Sequence, residues 1–222
     1  MNYFKQANQV KQARALIFVN FKSFPKRIIT SFVTMLSIAC VAAVILSVLA
    51  MTEGMMKTLE RTGLDNTILV MRAGAVSELQ SVMFPMEVNL LKNHKQVLRD
   101  QNDKSIVSAE MFVNAEYKII DKKGEVESQS LALRGISDNT YHFRPNFHMI
   151  SGSKFKTGLR ELVIGQAIAR RMPELTVGSL LTLGGTQWKV AGVFSDNNSV
   201  FESELWADIG VVQSDYQRGT SV

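Results

Sequence analysis

The chain has 222 residues, 46% of them hydrophobic and 20% charged, which is the composition of neither a disordered nor a collagen-like protein. Its net charge of +5 would favour a nucleic-acid-binding protein if the charge were spread evenly. Residues 1–52, however, contain six Lys and Arg and no acidic residue, which leaves 19 basic and 20 acidic residues in 53–222. The sequence therefore argues against nucleic acid as a partner. A single cysteine, Cys40, argues against a disulfide framework or a multi-cysteine zinc site.

Residues 1–27 form a basic tail with a helical repeat of apolar side chains. These apolar residues recur at steps of three and four, which places them on one helical face. They include Val10, Ile17, Phe21 and Phe24. The pattern predicts a cytoplasmic amphipathic helix that lies in the membrane interface and contacts lipid. The alternative is a frayed basic tail that only sets the membrane topology.

Residues 28–52 contain no charged side chain and predict a transmembrane helix. At about 1.5 Å per residue, 25 residues span roughly 37 Å, enough for a hydrocarbon core of about 30 Å. A buried helix of a soluble domain fits less well because the segment has no polar face. A signal peptide cleaved after Ala50 is the other alternative, but the apolar run is longer than the usual core of such a peptide.

The charges beside this segment predict its orientation. Six basic residues precede it, whereas the acidic and basic residues after it nearly cancel, so the positive-inside rule places the N-terminus in the cytoplasm and 53–222 outside. Small residues spaced for close helix packing in lipid also lie within the segment. They are Ala39, Ala42, Ala43 and Ser47. The alternative for these residues is that they merely fill an apolar span.

After the span, we predict a stalk at 53–63 and a compact α+β domain at 64–222. Short apolar, β-branched runs predict strands, and the turn residues between them predict hairpins. The predicted strands are 67–72, 106–121, 126–136, 162–164, 179–183, 187–194 and 205–212, and the predicted helices are 86–99 and 166–172. Two hairpin turns are expected, at 121–124 and at Gly184-Gly185. We expect this domain to fold as a soluble monomer without the anchor.

Motifs for catalysis, cofactors or metals are not found in the sequence. There is no glycine-rich phosphate-binding loop of the ATPase type, and His142 and His148 are expected to be surface residues without a third ligand. Glu202, Glu204 and Asp208 form an acidic cluster, in which the first two would share a face if they lie on a strand. We expect these carboxylates to be solvated at a sheet edge. The sequence therefore predicts no catalytic, cofactor-binding or metal-binding residues in this chain.

Several segments, taken in order, resemble the N-terminal half of MacB/FtsX-type ABC transporter permeases. The basic tail and the single early span match, as do glycine-bearing phrases of the external domain. The matching phrases are LDNTILVMRAGAVSELQS (64–81), LALRGIS (131–137), ISGSKFKTGLRELVIGQAIARRM (150–172), VGSLLTLGGTQWKVAGVF (177–194) and FESELWAD (201–208). The resemblance covers essentially the whole chain, and its motifs are structural.

The resemblance implies a MacB-like periplasmic core domain anchored in a bacterial inner membrane. It also implies a permease subunit that couples ATP hydrolysis on a separate ABC subunit to a periplasmic conformational change for export or for extrusion of a lipoprotein or other substrate. The separate subunit would hold the ATP and Mg²⁺. A second permease copy or a paralogue and a periplasmic adaptor are further implied partners. Such permeases continue with three further spans, which are expected either beyond Val222 in a longer chain or elsewhere. The alternative function is a single-pass anchored interaction or sensor module, which a natural stop at Val222 would favour.

Overall fold

A computed structural model describes the backbone of residues 2–62, 67–120 and 126–222 and the side chains of 28–58, 67–118 and 128–222. The predicted turn at 121–124 and the side chains of the predicted tail face lie outside the described residues. The chain divides into two compact units, one ending at Met56 and one comprising Lys57–Val222. Each unit is described separately.

Helix α1 runs from Asn2 to Thr62 without a break. It therefore includes the tail, the predicted span and all but the last residue of the predicted stalk. Its segment Ile28–Thr58 is long and apolar enough to cross a membrane. Four hydroxyls in this segment donate to the carbonyl four residues earlier, which satisfies them inside the helix, as a lipid environment requires. These donors are Thr34, Ser37, Ser47 and Thr52.

The second unit is built on a seven-stranded mixed sheet flanked by short helices. The strands are β1 (Met111–Ile120), β2 (Val126–Ile136), β3 (His148–Gly152), β4 (Glu161–Gly165), β5 (Leu180–Leu183), β6 (Thr186–Ser195) and β7 (Glu204–Asp208). The further α-helices are α2 (Pro85–Lys92), α3 (Gln166–Arg171) and α4 (Ile209–Asp215). Short 3₁₀ helices occur at Glu78–Gln80, Asp138–Phe143 and Val200–Ser203.

The strands are ordered β3-β6-β4-β7-β2-β1-β5, and β5 also pairs with β6. This additional pairing closes six of the seven strands into a ring, with β3 attached outside it along β6. The shortest strand pairing in this ring joins β1 to β5 and aligns Tyr117 with Leu183. Strand β7 lies inside the sheet, parallel to β2 and antiparallel to β4. All of its residues are also buried, which matters for the carboxylates that it bears.

The alternation of side chains along the strands divides the core into two clusters. Leu205 and Ala207 of β7 belong to the larger cluster, together with Leu133 of β2, which points to the same face. Trp206 points to the opposite face and belongs to the smaller cluster, with Phe194 stacked on it at 4.4 Å between ring centroids. Residues at even positions of β7 thus share the face of the aromatic cluster.

The α+β fold class and the placement of most strands are confirmed, but several details differ. The strand predicted at 106–121 begins at Met111. The segment 67–72 is exposed and is not a strand, because no strand among the described residues pairs with it. The helix predicted at 86–99 ends at Lys92. The last predicted strand ends at Asp208, whose carboxylate accepts the Val211 N–H and begins helix α4. Strand β3 was missed because it is polar and largely exposed.

Candidate functional site

The most unusual feature of the second unit is a buried arginine on the aromatic face of the sheet. Arg134 lies in β2, and Glu204 lies two residues before its direct neighbour on the parallel strand β7. The guanidinium Nε and Nη2 donate to the two carboxylate oxygens of Glu204 at 2.7 and 2.8 Å. Both residues are less than 10% exposed. This bidentate geometry is the strongest arrangement available to an ion pair and compensates part of the desolvation of both charges.

Two further carboxylates share the remaining donor of Arg134. Nη1 donates to Glu78 at 2.7 Å and to Glu110 at 3.2 Å. Glu78 lies on the short 3₁₀ helix before the sheet, and Glu110 immediately precedes β1. Arg144 approaches Glu110 from the other side at 3.6 Å. The cluster of Glu78, Glu110, Arg134, Arg144 and Glu204 therefore joins five separate segments of the chain.

Aromatic rings enclose this ion-pair cluster. The guanidinium carbon of Arg134 lies 5.0 Å from the ring centroid of Phe112 and 5.4 Å from that of Phe201. Arg144 stacks more closely on Phe201, at 3.8 Å. The indole N–H of Trp206 donates to Glu204 at 3.0 Å. The rings shield Arg134 and Glu204 from water and add cation–π attraction, so the hydrogen bonds between these two residues act in a low-dielectric environment.

The protein environment keeps Arg134 charged and opposes the charge on Arg144. Burial lowers the pKa of Arg134, but the hydrogen bond and the charges of its carboxylate partners raise it above its ordinary value. Burial lowers the pKa of Arg144, and the charge of Arg134 adds to that effect. The Nε of Arg144 is buried without a hydrogen-bond partner among the described residues. The carboxylate partners of Arg134 therefore compensate the burial of its charge, whereas the burial of Arg144 is less fully compensated.

A second polar network lies in the turn after β6 and is organised by Glu202. Its Oε1 accepts the Ser195 hydroxyl at 2.6 Å and the N–H groups of Asp196 and Asn198 at 2.8 and 2.9 Å. Burial raises the pKa of Glu202, but these hydrogen bonds outweigh it and lower the pKa overall. A Cβ at Gly165 would overlap the backbone of Glu202. Glycine there is what allows the turn to pack on β4.

The prediction that the carboxylates of Glu202, Glu204 and Asp208 are solvated is therefore wrong. All three carboxylates are less than 10% exposed, and each has a different partner. Glu204 binds Arg134, Glu202 organises the turn, and Asp208 caps α4. For Glu204 and Asp208 the expectation failed because β7 lies inside the sheet rather than at its edge, and Glu202 is buried on the 3₁₀ helix that precedes β7.

The residues that the sequence predicted to act in the membrane helix and in the interfacial tail are all in α1. The side chains of Ala39, Ala42, Ala43 and Ser47 are exposed, and Ser47 donates to the Ala43 carbonyl at 2.7 Å. The backbone at Val10, Ile17, Phe21 and Phe24 is helical, while their side chains lie outside the described residues. Their roles in packing and in lipid contact stay predictions. His142 and His148 are exposed, as expected.

Sequence reasoning missed Arg134, Glu78, Glu110 and Arg144 as a group. One signal was present, because an arginine inside the apolar run LALRGI of a central strand must have a buried partner. The local sequence does not identify that partner, because Glu204 lies 70 residues further along the chain. The ion pairs of this cluster hold separate segments of the domain together. The carboxylates of the cluster are occupied by arginine donors, so we assign it no reaction.

Comparisons with known proteins agree with the membrane helix and the sheet domain. The family model of the MacB-like periplasmic core domain matches residues 31–221. Comparison with curated protein sequences found no relative. Among solved structures, the extracellular domain of the noncanonic ABC-type transporter YknZ from Gram-positive bacteria is similar. Its identity is 16% and its TM-score 0.47, and the match covers 63% of this chain and 69% of that one.

The periplasmic region of MacB from Actinobacillus actinomycetemcomitans is also similar, with 14% identity and a TM-score of 0.44. The match covers 61% of this chain and 59% of that one, so it spans about three-fifths of the MacB region. With TM-scores below 0.5, neither likeness contributes to the assignment, which depends on the family model. The candidate membrane helix and this family together indicate a membrane anchor followed by an extracytoplasmic domain. The chain therefore belongs to the MacB-like periplasmic core domain family.

Proposed function

We propose that this chain is part of a permease subunit that couples ATP hydrolysis on a separate ABC subunit to a conformational change outside the membrane. The observation that carries the proposal is the family match over 31–221, which extends from the candidate membrane span to the end of the sheet domain. The chain supplies the membrane helix and the outer domain. ATP and Mg²⁺ would bind to the partner subunit.

The continuity of α1 supports a mechanical role. One unbroken helix contains the basic tail, the candidate span and ten further residues up to Thr62. Because every backbone group inside a helix is bonded to its own chain, a force applied at one end is transmitted along the axis. The tail, on the cytoplasmic side in the proposed topology, would receive the movement of the ATPase. In the proposed assembly, the partners are this ATPase, a second permease subunit and a periplasmic adaptor, and the membrane is the bacterial inner membrane.

The test compares ATP hydrolysis by the purified chain, by its ATPase subunit and by the reconstituted complex in nanodiscs. We expect the chain alone to bind no ATP and to hydrolyse none. We expect the hydrolysis rate of the ATPase subunit to change when the complex forms, because closure of the ATPase must then move the membrane helices. Hydrolysis by the chain alone, or a rate that is unaffected by complex formation, would contradict the proposal and favour an anchored interaction module.

A further inference from the structure

Residues 67–83, here called the strap, lie in sequence between α1 and the sheet and are attached to the domain by few bonds. Within the strap, the Arg72 N–H donates to the Ser81 hydroxyl at 3.0 Å, and Ala75 and Ser81 each close a turn. Such internal bonds keep the strap compact without fixing it to the sheet. Apolar side chains of the strap remain exposed, among them Val76 at 83%. Hydrophobic burial therefore contributes little to its attachment.

Among the described residues, the hydrogen bonds that join the strap to the rest of the domain occur at two points. One is the ion pair of Glu78 with Arg134 at 2.7 Å. The other is at the end of the strap, where Met83 and Val222 each donate an N–H to the carbonyl of the other, at 2.7 and 2.9 Å. The Met83 attachment acts as a pivot at one end. The Glu78 ion pair fixes the part of the strap between Arg72 and Ser81.

The two strong carboxylate partners of Arg134 differ in how firmly they are held. The side chain of Glu204 is 9% exposed and binds through both oxygens from a central strand. The side chain of Glu78 is 34% exposed and binds through one oxygen from a three-residue 3₁₀ helix that has no buried residue. Water can reach Glu78 and solvate it when the pair separates, so its separation costs much less than that of Glu204.

Arg134 also stays paired when Glu78 leaves. Its Nη1 keeps Glu110 at 3.2 Å, and Nε and Nη2 keep Glu204. Two arginines and two glutamates then remain in ion pairs within the cluster, whereas three glutamates are paired when Glu78 is in place. No buried charge is left without a partner, which is the usual reason that breaking a buried pair is expensive.

We propose that the Glu78–Arg134 ion pair is a releasable latch that fastens the strap to the sheet. The closed latch is the state in this structure, and the open state frees the strap up to its pivot at Met83 while the sheet stays folded. Gly74, with φ of +88° and no atom near the position of a Cβ, gives the strap a bend that other residues would resist. The use of this opening to transmit movement from α1 rests on the proposed function. The latch itself does not depend on it.

Hydrogen–deuterium exchange of the full chain in detergent tests the latch without any partner. We expect peptides of the strap to exchange faster than those of β4, β6 and β7. Glu78→Gln should accelerate exchange in the strap about fivefold and leave the sheet unchanged, since it removes one partly exposed charge. The matched control is Asp103→Asn, which removes the carboxylate of another ion pair, with Arg99. It should not change exchange in the strap.

Ionic strength separates a latch from a purely structural contact. Raising the salt from about 0.05 to 0.5 M screens an ion pair that water can reach. Strap exchange should therefore increase with salt in the wild type and respond little in Glu78→Gln. Strap exchange as slow as that of the sheet, no effect of Glu78→Gln, or an equal salt response in both proteins would overturn the proposal. Because no ATPase is present, none of these outcomes depends on whether the proposed function is correct.

Discussion

Arg134 and Glu204 form a bidentate ion pair across the parallel strands β2 and β7, with both side chains under 10% exposed. Their separation in sequence is 70 residues, so the pair fixes two distant parts of the domain relative to each other. The Trp206 N–H binds the same carboxylate. A charged pair in this position fixes the register of the two strands because a shift would leave both charges buried and unpaired.

The first prediction concerns this pair. Arg134→Met should lower the free energy of unfolding by about 3–5 kcal/mol, because Glu204 stays buried without its cation. The double variant Arg134→Met/Glu204→Gln should be more stable than Arg134→Met alone, since the amide is neutral and its oxygen still accepts the Trp206 N–H. Denaturant unfolding followed by tryptophan fluorescence measures this, because both tryptophans of the chain are buried in the domain.

The control for this prediction is Arg99→Met, which removes an exposed ion pair with Asp103. It should change the free energy of unfolding by no more than about 1 kcal/mol. A double variant no more stable than Arg134→Met would show that the destabilisation comes from lost packing rather than from the unpaired charge.

The second prediction concerns pH and the turn after β6. The pKa of Glu202 is lowered in the folded protein, so its contribution to stability is present above its unfolded pKa of about 4.3 and is lost as the pH falls through the folded pKa. Glu202→Gln should therefore destabilise by about 1–3 kcal/mol at pH 7. The difference from the wild type should shrink towards pH 3. An unchanged difference across this range would contradict the assignment.

The pKa of Asp196 is shifted in the opposite direction from that of Glu202, so Asp196 serves as the internal comparison. Burial raises its pKa, while the Ser199 hydroxyl bound at 2.5 Å partly offsets this. A raised pKa means stability that is present below the unfolded value and lost as the pH rises through the folded one. Asp196→Asn should therefore gain stability relative to the wild type between pH 3 and pH 7. Parallel pH profiles of the wild type and Asp196→Asn would refute this sign.

Most strands of the sheet could be predicted from the sequence, but which strands pair with each other could not. Leu162–Ile164 and the hairpin around Gly184 were found because apolar alternation and turn glycines are local signals. Thr67–Arg72 has the composition of a strand and yet is unpaired, since strand formation needs a neighbour that local composition does not encode.

The ion-pair cluster shows the same limit for the candidate site. The sequence predicts Glu204 as a solvated carboxylate at a sheet edge, whereas the sheet order puts its strand in the centre. Sequence pattern indicates that a residue lies on a strand and which residues share its face. It does not indicate which strand lies beside it, and the partner of a buried charge follows only from that order.

The third prediction concerns topology. A cysteine at Lys104, which is exposed in the second unit, should react with a membrane-impermeant maleimide in intact spheroplasts. The variant is made in a Cys40→Ala background, because Cys40 lies within the candidate span. The positive-inside distribution of charge is the physical reason. Labelling that requires lysis would reverse the predicted orientation.

The fourth prediction concerns the small residues of α1. Ala43→Leu should weaken assembly or uncouple ATP hydrolysis from transport if this face packs closely against another helix, because the larger side chain separates the two backbones. Val44→Leu is the control, since it adds one carbon at the next position, where the side chain is already large. Both variants should insert into the membrane normally. Normal assembly and transport by Ala43→Leu would mean that this face contacts lipid.

The central claim is that this chain works as the permease component of an ABC transporter. Affinity purification of the full chain from native membranes in mild detergent, followed by mass spectrometry, tests it most directly. An unrelated single-pass protein with the same tag is the control. We predict that an ABC-type ATPase subunit is enriched with this chain and absent from the control. Recovery of intact chain from the membrane with no ABC-type ATPase enriched over the control would contradict the account.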